Sequence, residues 1–203
     1  MKLVKGIYLI IDPQQEEEEL LHRLKIALES GLSAVQIWDN FSGIDEEQLC
    51  KKLADLCQPY NCPLFINNRV ELLKLGIFQG LHLDELNAKL IHRVSEKYPK
   101  LMIGLTVGNQ WESILPVESK LDYVSFCSMF PSVTANSCEW VSKDAVNNLA
   151  EASHLPFFLA GGISQENLES LNELGYHGIA VVSGVMSAKE PQKAIEKFKK
   201  IMQ

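Results

Sequence analysis

Eight short apolar runs alternate with helical patterns along the chain, and this alternation limits the fold more than any other feature. Each run is continuous and ends at turn residues, which is typical of strands buried on both faces of a parallel sheet. Six of the predicted strands span residues 7–11, 34–38, 63–68, 80–83, 101–107 and 122–126. The last two begin at Pro156 and Gly178.

Predicted helices fill the segments between these strands. Apolar residues recur at helical spacing within 16–30 and 45–60, and shorter helical patterns cover 70–75, 88–98 and 110–115. Another helix runs through Ala152, a helical run separates the last two strands, and 191–202 closes the chain. Alternating strands and helices predict parallel pairing through right-handed crossovers. Eight such units predict a single (β/α)8 TIM barrel over residues 1–203, with an open doubly wound sheet as the alternative.

Composition narrows the class of protein. The 203 residues carry a formal net charge of -7, which argues against nucleic acid as the main partner. No apolar segment of the sequence approaches the ~18 residues of a membrane span, so no membrane partner is expected. Five cysteines without a Cys-x-x-Cys pair, and an N-terminus that leads directly into the first strand, predict reduced thiols in the cytoplasm.

Small residues follow the last two predicted strands. Gly161 and Gly162 follow the seventh strand, and Ser183 and Gly184 follow the eighth. Backbone N–H groups at such positions can approach an anion closely, and barrels commonly bind phosphate in the loops after strands seven and eight. We therefore predict that these four residues bind one phosphate; a tight turn without a ligand is the alternative.

Polar residues also follow the other predicted strands. The C-terminal ends of barrel strands carry the chemistry of this fold, so these side chains are expected to lie around one mouth. The set includes Asp12, Gln36, Trp38, Asn40, Asn67, Asn68, Arg69, His82, Asp84, Glu85, Asn87, Thr106, Ser132 and Thr134. His82 is expected to be a core histidine with satisfied hydrogen bonds, and no catalytic residue is assigned.

This set resembles the thiamine-phosphate synthase family. The strongest matches are Tyr8-Leu-Ile-Ile-Asp12, Val35-Gln36, Pro63-Leu-Phe-Ile-Asn-Asn-Arg69, Gly80-Leu-His-Leu83, Phe130-Pro131, Ala160-Gly-Gly-Ile163 and Val181-Val-Ser183. The resemblance implies an enzyme that joins a hydroxymethylpyrimidine diphosphate to a thiazole phosphate and releases pyrophosphate with the help of Mg²⁺. It also implies substrate-binding roles for Gln36, Trp38, Asn40, Asn67, Asn68, Arg69, Thr106, Ser132 and Thr134.

The sequence departs from that family where charge is expected. The family pattern Gln-x-Arg-x-Lys is Gln36-Ile-Trp-Asp-Asn40 here, Asn-Asp-Arg is Asn67-Asn-Arg69, and Thr-x-Thr-Lys is Ser132-Val-Thr-Ala135. The second metal carboxylate corresponds to Asn87. Efficient synthase activity is therefore not expected. Mg²⁺ is expected only if that activity is retained, with Asp84 and Glu85 as the candidate ligands.

Three hypotheses stay open at this point. The chain is a synthase with rebuilt diphosphate contacts, a tautomerase-like enzyme acting on thiazole phosphate, or a non-catalytic ligand-binding or regulatory paralogue. The tautomerase branch of the family uses a histidine at the position of Gly108. In each case the expected ligand is thiazole phosphate or a related phosphorylated small molecule. A homo-oligomer is open as well.

Overall fold

Eight parallel strands close into a barrel in a computed structural model, which describes residues 3, 5–131 and 139–202. The strands are β1 Gly6–Ile11, β2 Ala34–Ile37, β3 Leu64–Asn67, β4 Gly80–Leu83, β5 Met102–Val107, β6 Tyr123–Cys127, β7 Phe157–Ala160 and β8 Gly178–Val181. Each strand pairs with the next along the chain, and β1 also pairs with β8, with Gly6 opposite Gly178. This closure confirms the predicted barrel and rules out the open sheet.

The α-helices are fewer and shorter than the sequence patterns predict. They are α1 Glu17–Glu29, α2 Glu46–Cys57, α3 Ala88–Lys97, α4 Lys143–Ala152, α5 Ser183–Met186 and α6 Pro191–Ile201. No helix in the described part of the chain is long and apolar enough to cross a bilayer.

After three of the strands, the predicted helical segments are short 3₁₀ helices. They span Val70–Leu75, Trp111–Ile114 and Leu168–Leu174, and two further 3₁₀ turns lie at Gln58–Tyr60 and Glu118–Lys120. The segment after β7 shows the reason, because Leu168, Leu171 and Leu174 recur every third residue and all three are buried. A period of three matches the 3₁₀ helix, which stacks such side chains in one row.

Two separate apolar regions stabilise the barrel. Alternate strand residues such as Ile7, Leu9 and Ile11 face outward into the layer between the strands and the helices. The rings of Tyr8, Phe65, Tyr123 and Phe158 fill the lumen; the site is therefore expected above this packed interior, at the C-terminal mouth.

Glycines make room for these rings. A Cβ added to Gly80 would lie 1.9 Å from the Phe65 ring, and one added to Gly104 would lie 2.1 Å from the Tyr123 ring. Phe65 and Tyr123 in turn meet edge to face, with ring centroids 5.7 Å apart. The lumen is thus packed by aromatic rings that lie across the neighbouring glycine strands.

Candidate functional site at the barrel mouth

Five polar side chains form a continuous hydrogen-bonded row in the lumen, which we call the lumen chain. The Tyr8 hydroxyl donates to Oε1 of Gln36 at 2.9 Å and lies 2.8 Å from the Tyr123 hydroxyl. The Tyr123 hydroxyl lies 2.9 Å from Nδ1 of His82, and Nε2 of His82 lies 2.9 Å from Oγ1 of Thr106. The chain therefore links two predicted substrate-binding residues, Gln36 and Thr106, through groups that are buried between them.

Burial sets the charge of the central members. It lowers the pKa of His82 below the usual value for an imidazole, and it raises the pKa of both Tyr8 and Tyr123. The imidazole is consequently neutral near pH 7 and both phenols keep their protons. Both ring nitrogens of His82 have partners, which confirms the expectation of a satisfied core histidine.

An amide–carboxylate cluster forms the wall after β3 and β4. Nδ2 of Asn68 donates to Asp39 at 2.9 Å and to Asp84 at 2.8 Å, and the Asp84 amide donates back to Oδ1 of Asn68 at 3.1 Å. Nδ2 of Asn67 donates to the other Asp84 oxygen at 3.0 Å. Asn68 has a left-handed backbone with φ of 55°, which asparagine tolerates better than most residues. The Asn68 side chain therefore bridges the carboxylates of Asp39 and Asp84.

These residues do not fit Mg²⁺ as they are arranged. The oxygens of Asp84 that would have to hold the ion accept N–H groups from Asn67 and Asn68. Oδ1 of Asn87 accepts from the Leu90 amide at 3.0 Å, so it caps α3. Within the described residues, no group of three or more histidine, cysteine, aspartate or glutamate side chains is placed to hold a metal. Glu85, the other candidate ligand, has an exposed side chain.

Arg69 is engaged by carboxylates of its own chain. Its Nη2 atom contacts both carboxylate oxygens of Glu46, at 2.6 and 2.8 Å, and its Nε atom lies 2.5 Å from Glu71. The guanidinium also lies over the Phe41 ring, 5.5 Å from its centroid. The sequence predicted a substrate contact for Arg69, and the structure shows that two carboxylates already neutralise it.

The loop after β2 is tied to the end of β1. Nδ2 of Asn40 donates to Oδ1 of Asp12 at 3.0 Å, and Nε2 of Gln14 donates to the Asn40 carbonyl at 3.2 Å. Trp38 lies in the same loop, half-buried, and its amide donates to the Ile11 carbonyl at 3.0 Å. Two predicted substrate-binding residues, Trp38 and Asn40, thus lie on a loop held by backbone and side-chain hydrogen bonds.

The loop after β7 requires glycine at two positions, for two reasons. Gly161 and Gly162 have positive φ angles of 84° and 66°. A Cβ on Gly161 would lie 2.0 Å from Oγ of Ser128, and one on Gly162 would lie 2.4 Å from the Pro131 carbonyl. Close backbone packing and left-handed φ angles therefore both exclude larger residues here.

One feature around this loop, the role of Asn167, was not predicted. Asn167 holds the loop by two hydrogen bonds: its Nδ2 donates to the Gly162 carbonyl at 2.8 Å, and its Oδ1 accepts from the Ser164 amide at 2.8 Å. Its sequence signal is only an asparagine five residues after Gly162. The last two predicted phosphate residues, Ser183 and Gly184, begin α5, where the first backbone N–H groups of a helix have no intrahelical acceptor.

Other members of the lumen chain also escaped prediction. Tyr8 and Tyr123 lie 115 residues apart in sequence, and each resembles an ordinary strand aromatic. Their inward direction follows from strand alternation, but their contact does not. Ser132 and Thr134, which the resemblance assigned to substrate, lie outside the described residues.

The chain is similar to known proteins along nearly its whole length. A family profile described as thiamine monophosphate synthase matches residues 7–185. The chain is 30% identical over 202 residues to a thiamine-phosphate synthase of Geobacillus kaustophilus, covering 96% of this chain and 90% of that one. It is 28% identical over 196 residues to that of Methanobrevibacter smithii, with 96% and 94% covered. The solved thiamine phosphate pyrophosphorylase of Pyrococcus furiosus is 28% identical, with a TM-score of 0.81 and 97% and 95% covered.

Proposed function

The chain belongs to the thiamine monophosphate synthase family, and we propose that its barrel mouth binds thiazole phosphate while thiamine-phosphate synthase turnover is slow. The observation that carries the proposal is the pair of small-residue loops after β7 and β8. Gly161 and Gly162 hold left-handed backbone conformations, and Ser183 and Gly184 open a helical turn. Backbone amides in such loops can bind a single phosphate without any cationic side chain.

The opposite wall supports the second half of the proposal. The family reaction breaks a carbon–oxygen bond, and the departing pyrophosphate has to be held by cations or a metal. Here that wall presents the carboxylates of Asp39 and Asp84, and the Arg69 guanidinium is already paired with Glu46 and Glu71. A diphosphate approaching these carboxylates meets like charge, which disfavours its binding.

Of the alternatives, none is favoured by a particular contact. The position that would carry a tautomerase histidine is Gly108, which has no side chain. The space beside it is open, since a Cβ added there would meet no atom within 4 Å. That position therefore offers no base of its own.

Calorimetric titration tests the proposal directly. We expect thiazole phosphate to bind with the same affinity in Mg²⁺ and in EDTA, since backbone amides rather than a metal hold its phosphate. Hydroxymethylpyrimidine diphosphate with Mg²⁺ should bind at least about tenfold more weakly, a difference of about 1.4 kcal/mol. Rapid formation of thiamine phosphate from the two substrates would contradict the slow turnover. Lack of thiazole phosphate binding would contradict the proposal as a whole.

A matched pair of variants locates the phosphate. Ser183→Glu places a carboxylate at the exposed start of α5 and should abolish thiazole phosphate binding by charge repulsion. Ser119→Glu adds the same charge in the exposed turn before β6, at the opposite end of the barrel, and should leave binding unchanged. Equal losses in both variants would place the phosphate elsewhere.

The metal part is tested by Asn68→Asp. This change puts a third carboxylate between Asp39 and Asp84 in place of the amide that joins them. We expect Mn²⁺ binding, measured by electron paramagnetic resonance, to strengthen by about tenfold or more relative to wild type. Tight Mn²⁺ binding by the wild type would show that the amides do not block the site.

A further inference from the structure

The bond from Tyr8 to Gln36 sets the direction of the whole lumen chain, because each hydroxyl has one proton to donate. Tyr8 gives its proton to Oε1 of Gln36. The proton between the two tyrosines must then come from Tyr123. Since the Tyr123 proton is used there, its oxygen can only accept from Nδ1 of His82.

This direction fixes the tautomer of His82. A neutral imidazole carries one ring proton, and Nδ1 needs it for Tyr123. Nε2 is therefore bare and accepts the hydroxyl proton of Thr106 at 2.9 Å. The carboxylate of Asp84 does not reverse this assignment, since its Oδ1 lies 3.9 Å from Nε2 and accepts from Asn67 at 3.0 Å.

The two ends of the chain inherit a defined polarity. The side-chain oxygen of Gln36 accepts from Tyr8, which leaves its Nε2 amino group as the part that can donate to a ligand. The hydroxyl of the half-buried Thr106 donates its proton to His82, so its oxygen can only accept a further hydrogen bond. Gln36 lies near the C-terminal end of β2 and Thr106 near that of β5. The lumen chain thus presents one donor, on Gln36, and one acceptor, on Thr106, to the mouth.

We propose that Tyr123 is a positioning residue that sets this polarity from inside the barrel. This polarity favours rings with a hydrogen-bond acceptor that faces Gln36, as a thiazole nitrogen can, and it disfavours rings with a hydrogen-bond acceptor that faces Thr106. A ligand with the opposite arrangement would leave buried polar groups unpaired, which is costly. The inference rests on the proposed function only in placing the ligand at the mouth.

Nitrogen NMR of the full chain labelled with ¹⁵N-histidine tests the tautomer without any ligand. The spectrum of His82→Gln assigns the resonances of His82. In the wild type near pH 7 we expect Nδ1 at the protonated position and Nε2 at the unprotonated position. A protonated Nε2 in the wild type would overturn the inference.

Two variants that each remove one hydroxyl give opposite expected results. In Tyr123→Phe, Nδ1 loses its acceptor, so the proton should move to Nε2 and bond Thr106, and the two nitrogen shifts should exchange. In Thr106→Val, Nδ1 keeps its bond to Tyr123, so the shifts should stay in the wild-type order. Retention of the Nδ1 proton in Tyr123→Phe, or an exchange in Thr106→Val, would count against Tyr123 as the residue that sets polarity.

These measurements separate the inference from the proposed function. Failure of thiazole phosphate to bind would refute the proposed ligand and leave the tautomer result intact. If Tyr123→Phe does not fold, the wild type and Thr106→Val still decide the direction of the chain, because the reversed chain requires an Nε2 proton in the wild type.

Discussion

At Gly104 the missing Cβ decides how the lumen is packed. The strand residue lies opposite Tyr123 in the β5–β6 pairing, and the phenol ring crosses the space that a side chain would fill. The ring direction in turn carries the Tyr123 hydroxyl to His82 and Tyr8. One glycine therefore affects both the apolar interior and the lumen chain above it.

The substitution Gly104→Ala should destabilise the protein by about 1–3 kcal/mol, the usual cost of overpacking a filled core. The new Cβ would lie 2.1–2.5 Å from three Tyr123 atoms, whose ring is buried on all sides. Urea unfolding measures the loss. Gly108→Ala is the control, since a Cβ there meets no atom within 4 Å; a similar loss in both variants would argue against the clash.

Four of the six α-helices in the described residues, α1 to α4, begin on side-chain caps. Asp45 accepts from the Gln48 amide at the start of α2, and Ser142 accepts from the Ala145 amide at the start of α4. Asn87 does the same for α3, with Leu90 as the donor. At this position the family resemblance implied a metal carboxylate, whereas in this chain the residue serves the helix.

Two substitutions at Asn87 separate capping from metal binding. Asn87→Ala removes the cap and should lower the free energy of unfolding by about 0.5–2 kcal/mol. Asn87→Asp keeps an acceptor at the cap and should have nearly wild-type stability, because aspartate caps helices as well as asparagine does. Thermal unfolding in EDTA measures the effect on capping, and thermal unfolding in Mg²⁺ measures any effect of the metal. A stability of Asn87→Asp that rises only in Mg²⁺ would show that this position reaches an ion.

On the scale of the whole molecule, the buried His82 and the half-buried His177 make stability depend on pH. Burial lowers the pKa of His82, and burial together with the charge of Lys5 lowers the pKa of His177. In the unfolded chain both imidazoles return to about 6.5. Below that pH the unfolded chain binds more protons than the folded one, so stability falls as the pH falls toward the folded pKa values.

The contribution of His82 can be measured by comparing variants. Between about pH 7.5 and pH 5.5, a range in which carboxylates stay largely ionised, the wild type should lose more stability than His82→Gln. His22→Gln, at an exposed position on α1, is the control and should follow the wild type. Urea unfolding at each pH gives the slopes, and parallel slopes for the wild type and His82→Gln would contradict a buried neutral His82.

The parts of the fold that could be predicted are those encoded by local pattern. Continuous apolar runs gave eight strands in the right order, and small residues after the last two located the glycine loops. The 3₁₀ helices were harder, because leucines three apart within a few residues suit an α-helix and a 3₁₀ helix alike, as in Leu168–Leu174.

The mouth was predicted less completely, because its polar residues act on one another. Sequence placed Gln36, Asn68, Arg69 and Thr106 near one end of the barrel but gave each a role toward substrate. The structure shows Asn68 bound to two aspartates and Arg69 bound to two glutamates. These pairings depend on side-chain reach between neighbouring strand ends, which spacing along the chain does not encode.

The amino-acid sequence alone determined the barrel and its family, because strand burial and glycine placement are local requirements repeated along the chain. Only the tertiary structure decided which polar groups satisfy each other and which are left for a ligand. A hydrogen bond such as the one between Tyr8 and Tyr123 joins residues 115 positions apart, and its direction depends on every other bond in the row. That dependence exists only once the barrel has closed.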